Sequence, residues 1–288
     1  MISAALVKEL RDKTGAGMMD CKSALTQANG DFEKAIEILR KKGASVAAKR
    51  AERTASEGIV LTKVIDDGKK GYIVEVNCET DFVAKSDDFL NFANVVMDVV
   101  LEKEPADVEA LLNLNRNGKT LKDELNETIG KIGEKIEVSR IAAVHGEDSV
   151  FADYIHHGSK LGVLVKADGI GNNYNSELEN ILKDIAMQVA AMKPSFVNRD
   201  AVPKDVIEKE IDIYKEIARK EGKPEQILQK IAEGRLNKFY QENCLIEQAY
   251  IKDNAKSIND LIGEFNKKYS ANVKVDAFYR FHVSDENK

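Results

Sequence analysis

Tryptophan is absent from this sequence of 288 residues, and proline, cysteine and histidine are scarce at 4, 3 and 4 residues. So little proline, with only 18 glycines, leaves room for long uninterrupted helices. Cys21, Cys78 and Cys244 are odd in number and far apart. That excludes a disulfide framework or a paired-thiol motif, makes a reducing cytoplasm the expected compartment, and leaves each thiol as a small packing residue. No apolar run approaches the ~20 residues needed to cross a bilayer. Met1-Ile2-Ser3-Ala4-Ala5-Leu6 meets Lys8, Glu9 and Arg11 too soon for a secretory signal, so no membrane partner is expected.

An excess of positive charge is also missing. The formal net charge of −6 argues against a dedicated nucleic-acid binder, which needs a concentrated basic surface. Hydrophobic residues at 43% and charged residues at 32% describe a globular, helix-rich chain rather than a disordered one.

Catalytic patterns are lacking as well. Asn117-Gly118-Lys119-Thr120 resembles the end of a phosphate-binding loop, but Asn113 stands at the leading glycine position, and nucleotide binding there is rejected. His156 and His157 are adjacent on an expected strand, so their rings point to opposite faces and cannot hold one metal. His145 and His282 lack ligand-like neighbours. Ser159 in Gly158-Ser159-Lys160-Leu161-Gly162 lies one place early for a nucleophile elbow. The chain reads as one with no enzymatic centre, no metal site and no cofactor.

What is present is organised by a changing hydrophobic period. Residues 1–54 read as three short helices and a basic linker. Leu6, Val7 and Leu10 stripe the first helix, and Met18, Cys21, Ala24, Leu25 and Ala28 the second. Phe32, Ala35, Ile36 and Leu39 stripe the third, which Asp31 can cap. The linker, 40–53, carries Arg40, Lys41, Lys42, Lys49, Arg50 and Arg53. It reads as a solvated connector or frayed helix, with contact to an acidic partner or RNA as the sharper option.

Residues 55–145 switch to strands and helices. Gly58-Ile59-Val60-Leu61-Thr62-Lys63-Val64-Ile65, the turn Asp66-Asp67-Gly68 and Tyr72-Ile73-Val74-Glu75-Val76 predict a hairpin. A helix from Phe89, a short piece at Leu111-Leu112 and a helix opened by Thr120 and Asp123 follow. A second strand group is expected at 136–144, 150–155 and 161–165. Beyond it, Ser176 and Glu179 form a capping box for a helix that Pro194 stops.

Residues 146–270 complete the core and include a helical hairpin at about 202–240, whose narrow apolar stripe and dense charge suit a projecting arm. Residues 271–288 form a C-terminal strand or tail, in which Val273, Val275, Ala277, Tyr279 and Phe281 alternate. A faint internal repeat relates the halves. Gly71-Tyr72-Ile73-Val74-Glu75-Val76 parallels Gly162-Val163-Leu164-Val165-Lys166-Ala167, and the Phe89, Phe92, Ala93, Val96 spacing matches Leu182, Ile185, Ala186, Val189. The expected fold class is α+β. It comprises a small N-terminal three-helix bundle, a duplicated core of small antiparallel sheets each covered by helices on one face, the projecting hairpin and a C-terminal module.

The most informative stretch is Asn77-Cys78-Glu79-Thr80-Asp81-Phe82-Val83-Ala84-Lys85, which places a large apolar ring in a strand-to-helix connection that normally runs over the surface. Two readings stand side by side. Phe82 either inserts into a partner or folds back as a lid on its own core, the commoner arrangement for such a ring.

This stretch, from Glu75-Val76 onward, resembles one signature of the bacterial translation elongation factor Ts family. Lys13-Thr14-Gly15-Ala16-Gly17-Met18-Met19-Asp20-Cys21-Lys22-Ser23-Ala24-Leu25 resembles the other. Lys131-Ile132-Gly133-Glu134, Tyr154-Ile155-His156-His157-Gly158 and the order of parts across the whole chain are also similar to that family. The bundle is further similar to ubiquitin-associated domains, which are interaction modules.

The resemblance implies a guanine-nucleotide exchange factor that binds the GTPase elongation factor Tu in its GDP-bound and nucleotide-free forms. By position, Thr80, Asp81, Phe82 and Val83 would displace the partner's magnesium ion. Ile132 and Gly133 would press on its GTPase domain near the phosphate loop, with the bundle docked on the same domain. On this reading Phe82 is an interface anchor. Two rival functions carry less support, a binding adaptor without exchange activity and an RNA-associated translation accessory using 40–53. The sequence leaves a homodimer or a 2:2 complex open.

Overall fold

The computed structural model describes residues 2–285. Its first three helices are α1 (Ala4–Thr14), α2 (Met18–Gln27) and α3 (Phe32–Arg50). Ser3 and Asp31 cap α1 and α3 by accepting the Leu6 and Lys34 N–H groups. The three apolar stripes enclose Val7, Leu10, Cys21, Ala24, Leu25 and Ala35.

The third helix does not stop at Leu39 but runs through most of the segment read as a linker. Ala44, Ala47 and Ala48 favour helix there, and four of the six basic side chains have carboxylate partners within the chain. Arg40 lies 3.2 Å from Asp123 and 3.5 Å from Glu127, Lys42 pairs with Asp20, and Arg50 and Arg53 each reach Glu79 at 2.9 Å.

The core is two copies of one pattern. In the first, β1 (Glu57–Ile65) and β2 (Lys70–Cys78) pair antiparallel across a turn in which Asp66, Asp67 and Gly68 all take positive φ. A single helical turn, α4 (Asp81–Ala84), leads to α5 (Asp87–Lys103) and α6 (Val108–Asn113). A minimal hairpin of β3 (Asn115–Arg116) and β4 (Lys119–Thr120), then α7 (Leu121–Ile132), precede β5 (Ile136–His145), which returns to pair with β2.

The second copy begins with the hairpin β6 (Ser149–Ile155) and β7 (Leu161–Asp168), followed by α8 (Ser176–Met192). An inserted antiparallel pair, α9 (Lys204–Lys220) and α10 (Glu225–Asn243), comes next. The pattern then resumes with the minimal hairpin β8 (Ala249–Tyr250) and β9 (Asp253–Ser257), then α11 (Ile258–Tyr269), and β10 (Lys274–His282) returns to pair with β7.

Details repeat as well as order. Both α5 and α8 have 17 residues and end on a left-handed residue, Glu104 or Lys193. Both α7 and α11 have 12 residues and open with a capping box, Thr120–Asp123 or Ser257–Asp260. Counting back from the left-handed ends places Phe89 opposite Leu178, so the helix match expected at Leu182 is displaced by one turn. Asn175, not Ser176, caps α8.

The sheets have strand orders β1-β2-β5 and β10-β7-β6. The segment 136–144 therefore belongs to the first sheet rather than to a second group. Alternation marks a strand without naming its neighbour, and the short connection after α7 delivers it to the free edge of β2. Helices cover the outer faces, and the inner faces meet through Val60, Ile73, Phe151, Leu164 and Phe281. Glycine permits this approach at two points. A Cβ on Gly71 would lie 2.8 Å from Leu164, and one on Gly162 would lie 2.5 Å from Val60. The inserted pair packs its base through Val202, Leu236 and Tyr240 and leaves Ile213, Ile217 and Ile227 exposed toward its tip.

Candidate functional site

Strand β2 is buried on both sides from Gly71 to Cys78, and its two faces carry different chemistry. Tyr72, Val74, Val76 and Cys78 join the first helical core. Alternation sends Ile73, Glu75 and Asn77 to the opposite face, with Glu79 next in the series. Arg140 Nε donates to Glu75 at 2.8 Å, and the same guanidinium donates to Asp285 at 3.1 Å. Asn77 Nδ2 donates to the Glu57 and Val283 carbonyls at 3.1 and 3.0 Å, and Ser139 donates to Asn77 Oδ1 at 2.6 Å. Glu79 accepts from Arg50, Arg53 and the Lys135 N–H, the last at 2.6 Å. Although burial opposes it, the Lys135 N–H and the two guanidinium groups hold the Glu79 carboxyl below its ordinary range.

This polar ladder at the foot of the turn was not recognised from sequence. Its signal was a polar side chain at every second place in an otherwise apolar strand.

Above the ladder the chain makes the single turn α4. Thr80 Oγ1 accepts from Val83 N–H at 3.3 Å and donates to Glu134 at 2.9 Å, while Thr80 N–H donates to the same carboxylate at 3.1 Å. The Cys78 thiol donates to the Thr80 carbonyl at 3.2 Å, and burial pushes that thiol up to about 12. Ser86 Oγ donates to the Val83 carbonyl at 2.8 Å and closes the turn. Val83 packs on the first core. Asp81 is held below the ordinary carboxylate range by Lys85, 2.9 Å away. Phe82 points outward and is 83% exposed. The lid reading thus fails for this conformation, since the ring covers nothing.

The second expected pair lies beside the first. Ile132 ends α7 half-buried against the first core, and Gly133 caps that helix with φ 80°, donating its N–H to the Ile129 carbonyl at 2.8 Å. A Cβ on Gly133 would meet nothing within 4 Å, so the cap is open on its outer side. The next residue, Glu134, is the one that holds Thr80. Thr80, Asp81, Phe82, Val83, Ile132 and Gly133 therefore share one braced edge.

The N-terminal bundle reaches the same edge. Lys131 pairs with Asp88 at 2.5 Å and passes over Gly15, where a Cβ would lie 2.7 Å from its Nζ. Nearby, Met18 and Met19 open α2 while 55% and 73% exposed, an apolar pair that periodicity alone had assigned in part to the core. His156 and His157 occupy the turn after β6 rather than a strand, with the Tyr154 hydroxyl 2.8 Å from His156 Nδ1.

Other candidates are accounted for structurally. Asn117 and Gly118 both take positive φ, 52° and 81°, and form the two-residue turn between β3 and β4. A cleft of about 410 Å³ between the bundle and α7 is lined by Lys13, Arg40, Lys42, Lys119 and Lys131, each paired with a carboxylate. Among the described residues, no cluster of three or more His, Cys, Asp or Glu is placed to hold a metal, and no helix is long and apolar enough to cross a membrane.

Comparison with known proteins agrees with this organisation. A family model described as "Elongation factor TS" matches residues 79–285. The chain is 46% identical over 289 residues to elongation factor Ts of Chloroherpeton thalassium, covering 99% of each chain. It is 48% identical over 286 residues to that of Chlorobium phaeobacteroides, covering 98% of each, and 46% identical to that of Clostridium botulinum, covering 99% of this chain and 93% of the relative. Similarity of this extent runs through the bundle, both core copies and the inserted helices, and the chain belongs to the elongation factor Ts family of translation factors.

Proposed function

We propose that this chain promotes release of GDP from elongation factor Tu in the cytoplasm, acting by binding and not by making or breaking bonds. The observation that carries the reading is the outward Phe82 on a turn whose neighbouring residues are each held by hydrogen bonds. A solvated ring on so braced a turn is pre-organised for insertion and gives up little conformational freedom when it docks. Thr80, Asp81, Phe82 and Val83 then approach the magnesium site of the partner. Ile132 and Gly133 contact its GTPase domain near the phosphate loop, and the exposed Met18 and Met19 supply apolar contact from the bundle.

The mechanism is linkage. In a GTPase, magnesium bridges protein and phosphate and neutralises negative charge, so a wedge that disturbs its support weakens ion and phosphate contacts together. The factor binds the nucleotide-free partner better than the GDP form, and by reciprocity GDP binds the factor's complex more weakly by the same ratio. A ratio of ~10⁴ corresponds to roughly 5.5 kcal/mol of differential interaction.

An RNA-binding role for 40–53 loses ground because Arg40, Lys42, Arg50 and Arg53 already have carboxylate partners. Stopped-flow release of fluorescent GDP from purified elongation factor Tu tests the proposal. Acceleration by the full chain is the expected result. Binding without acceleration would instead identify an adaptor.

A further inference from the structure

Two parts of the proposed interface, the bundle and the Phe82 turn, belong to different structural units, yet one carboxylate lies between them. The helix α3 has 19 residues, about 28 Å at ~1.5 Å per residue, and is a rod with different surroundings at each end. Its first half packs in the bundle through Phe32, Ala35, Ile36 and Leu39. Its middle crosses α7 where Gly43 and Gly130 bring the two backbones together. Its far end delivers Arg50, with Arg53 just beyond, to Glu79.

Glu79 directly precedes Thr80, the cap of the turn that presents Phe82. Its side chain is only 17% exposed, and its oxygens are taken up by the two arginines and the Lys135 N–H. Lys135 adjoins Glu134, the carboxylate that holds Thr80 from the other side. Glu79 thus joins three elements, the end of α3, the end of β2 and the connection from α7 to β5.

Resting on the exchange reading above, we propose that Glu79, clamped by Arg50 and Arg53, is a positioning residue for nucleotide release. It fixes the root of the Phe82 turn to the far end of α3, so that docking of the bundle sets the place and angle at which Phe82 meets the partner. Two contacts on one rigid frame act at high effective concentration, and a loosened joint lowers the fraction of docked complexes with the ring inserted. The maximal rate of release falls as a result. The concentration of factor needed for half-maximal effect changes little, because insertion is realised as GDP leaves rather than on first docking, and the docking contacts of the bundle are untouched.

The test uses the full chain and its Glu79→Gln variant, which keeps the shape and one acceptor oxygen but removes the charge. Expected is a maximal GDP-release rate lowered about tenfold or more, with half-saturation within about twofold of wild type. Arg50→Ala with Arg53→Ala reproduces the loss, and the triple variant loses no more than either parent, as for groups acting as one unit. Arg50→Lys with Arg53→Lys retains most of the rate. On the factor alone, amide exchange quickens first and most in 78–86, with a small fall in the melting temperature of the whole chain as the charged pairs of Glu79 are lost.

A Glu79→Gln variant with the wild-type maximal rate overturns this inference and leaves the exchange reading standing. Additive losses for Glu79 and the arginine pair also overturn it. A wild-type chain that leaves GDP release unaltered overturns the exchange reading, and this inference with it.

Discussion

Placing a single methyl group at residue 43 asks whether α3 and α7 really cross backbone to backbone. A Cβ on Gly43 would lie 2.7 Å from the Asn126 carbonyl oxygen and 3.3 Å from its carbon, both main-chain atoms that cannot swing aside. Overpacking of this kind costs about 1–3 kcal/mol, and contact with backbone puts it near the upper end. Alanine opposes the loss with about 1 kcal/mol of helix propensity. Gly43→Ala is therefore expected to be destabilising by about 2 kcal/mol, a fall in melting temperature of roughly 3 °C for a chain this long.

The control is Gly234→Ala in α10, where a Cβ meets nothing within 4 Å and only the propensity gain remains. That variant should melt slightly higher than wild type, by about 0.5–1 kcal/mol of added stability. Thermal unfolding followed by circular dichroism reads both signs. If Gly43→Ala stabilises the chain as Gly234→Ala does, the crossing is not tight and the placement of α3 over α7 is wrong.

Thr80→Val keeps the extended backbone of the turn and its N–H bond to Glu134 but removes the cap and the hydroxyl's bond to that carboxylate, and should cost about 1–2 kcal/mol in local stability with a slower maximal GDP release. Amide exchange across 80–86 reads the first effect directly. The capping box of α7 gives a pH signature, because the Thr120 N–H holds the Asp123 carboxyl below its ordinary value of 3.8. A carboxyl with a depressed folded value contributes stability fully above 3.8 and loses it as pH falls through the folded value. Asp123→Asn should therefore melt lower than wild type at neutral pH, with the gap closing in titrations taken well below pH 3.8.

Much of this architecture was legible because the elements announce themselves locally. The Asp66-Asp67-Gly68 turn, the Thr120 capping residue and the apolar spacing of α5 and α8 each depend on neighbours close in sequence. What could not be read was non-local. Nothing in 136–144 names β2 as its partner, and nothing in Val273, Val275 and Phe281 says that they extend the second sheet. The basic run after Leu39 looked solvated because its acidic partners Glu79, Asp123 and Glu127 lie far along the chain.

The edge bearing Phe82 was found from one apolar ring in a connection, with resemblance supplying the role proposed for it. Its union with Ile132 and Gly133 through Glu134 emerges only in three dimensions. The single turn α4 was read as loop, since four residues are too few to show a period.

Truncating the exposed ring is the most direct test of how this factor acts. At 83% exposure Phe82 contributes almost nothing to the fold, so Phe82→Ala should leave stability within ~0.5 kcal/mol of wild type. An anchor of about 2–4 kcal/mol lost from the complex corresponds to roughly a thirtyfold to thousandfold slower release of GDP from elongation factor Tu. A Phe82→Ala factor that melts with wild type but barely accelerates release is the outcome expected. One that accelerates release as fast as wild type would contradict the account.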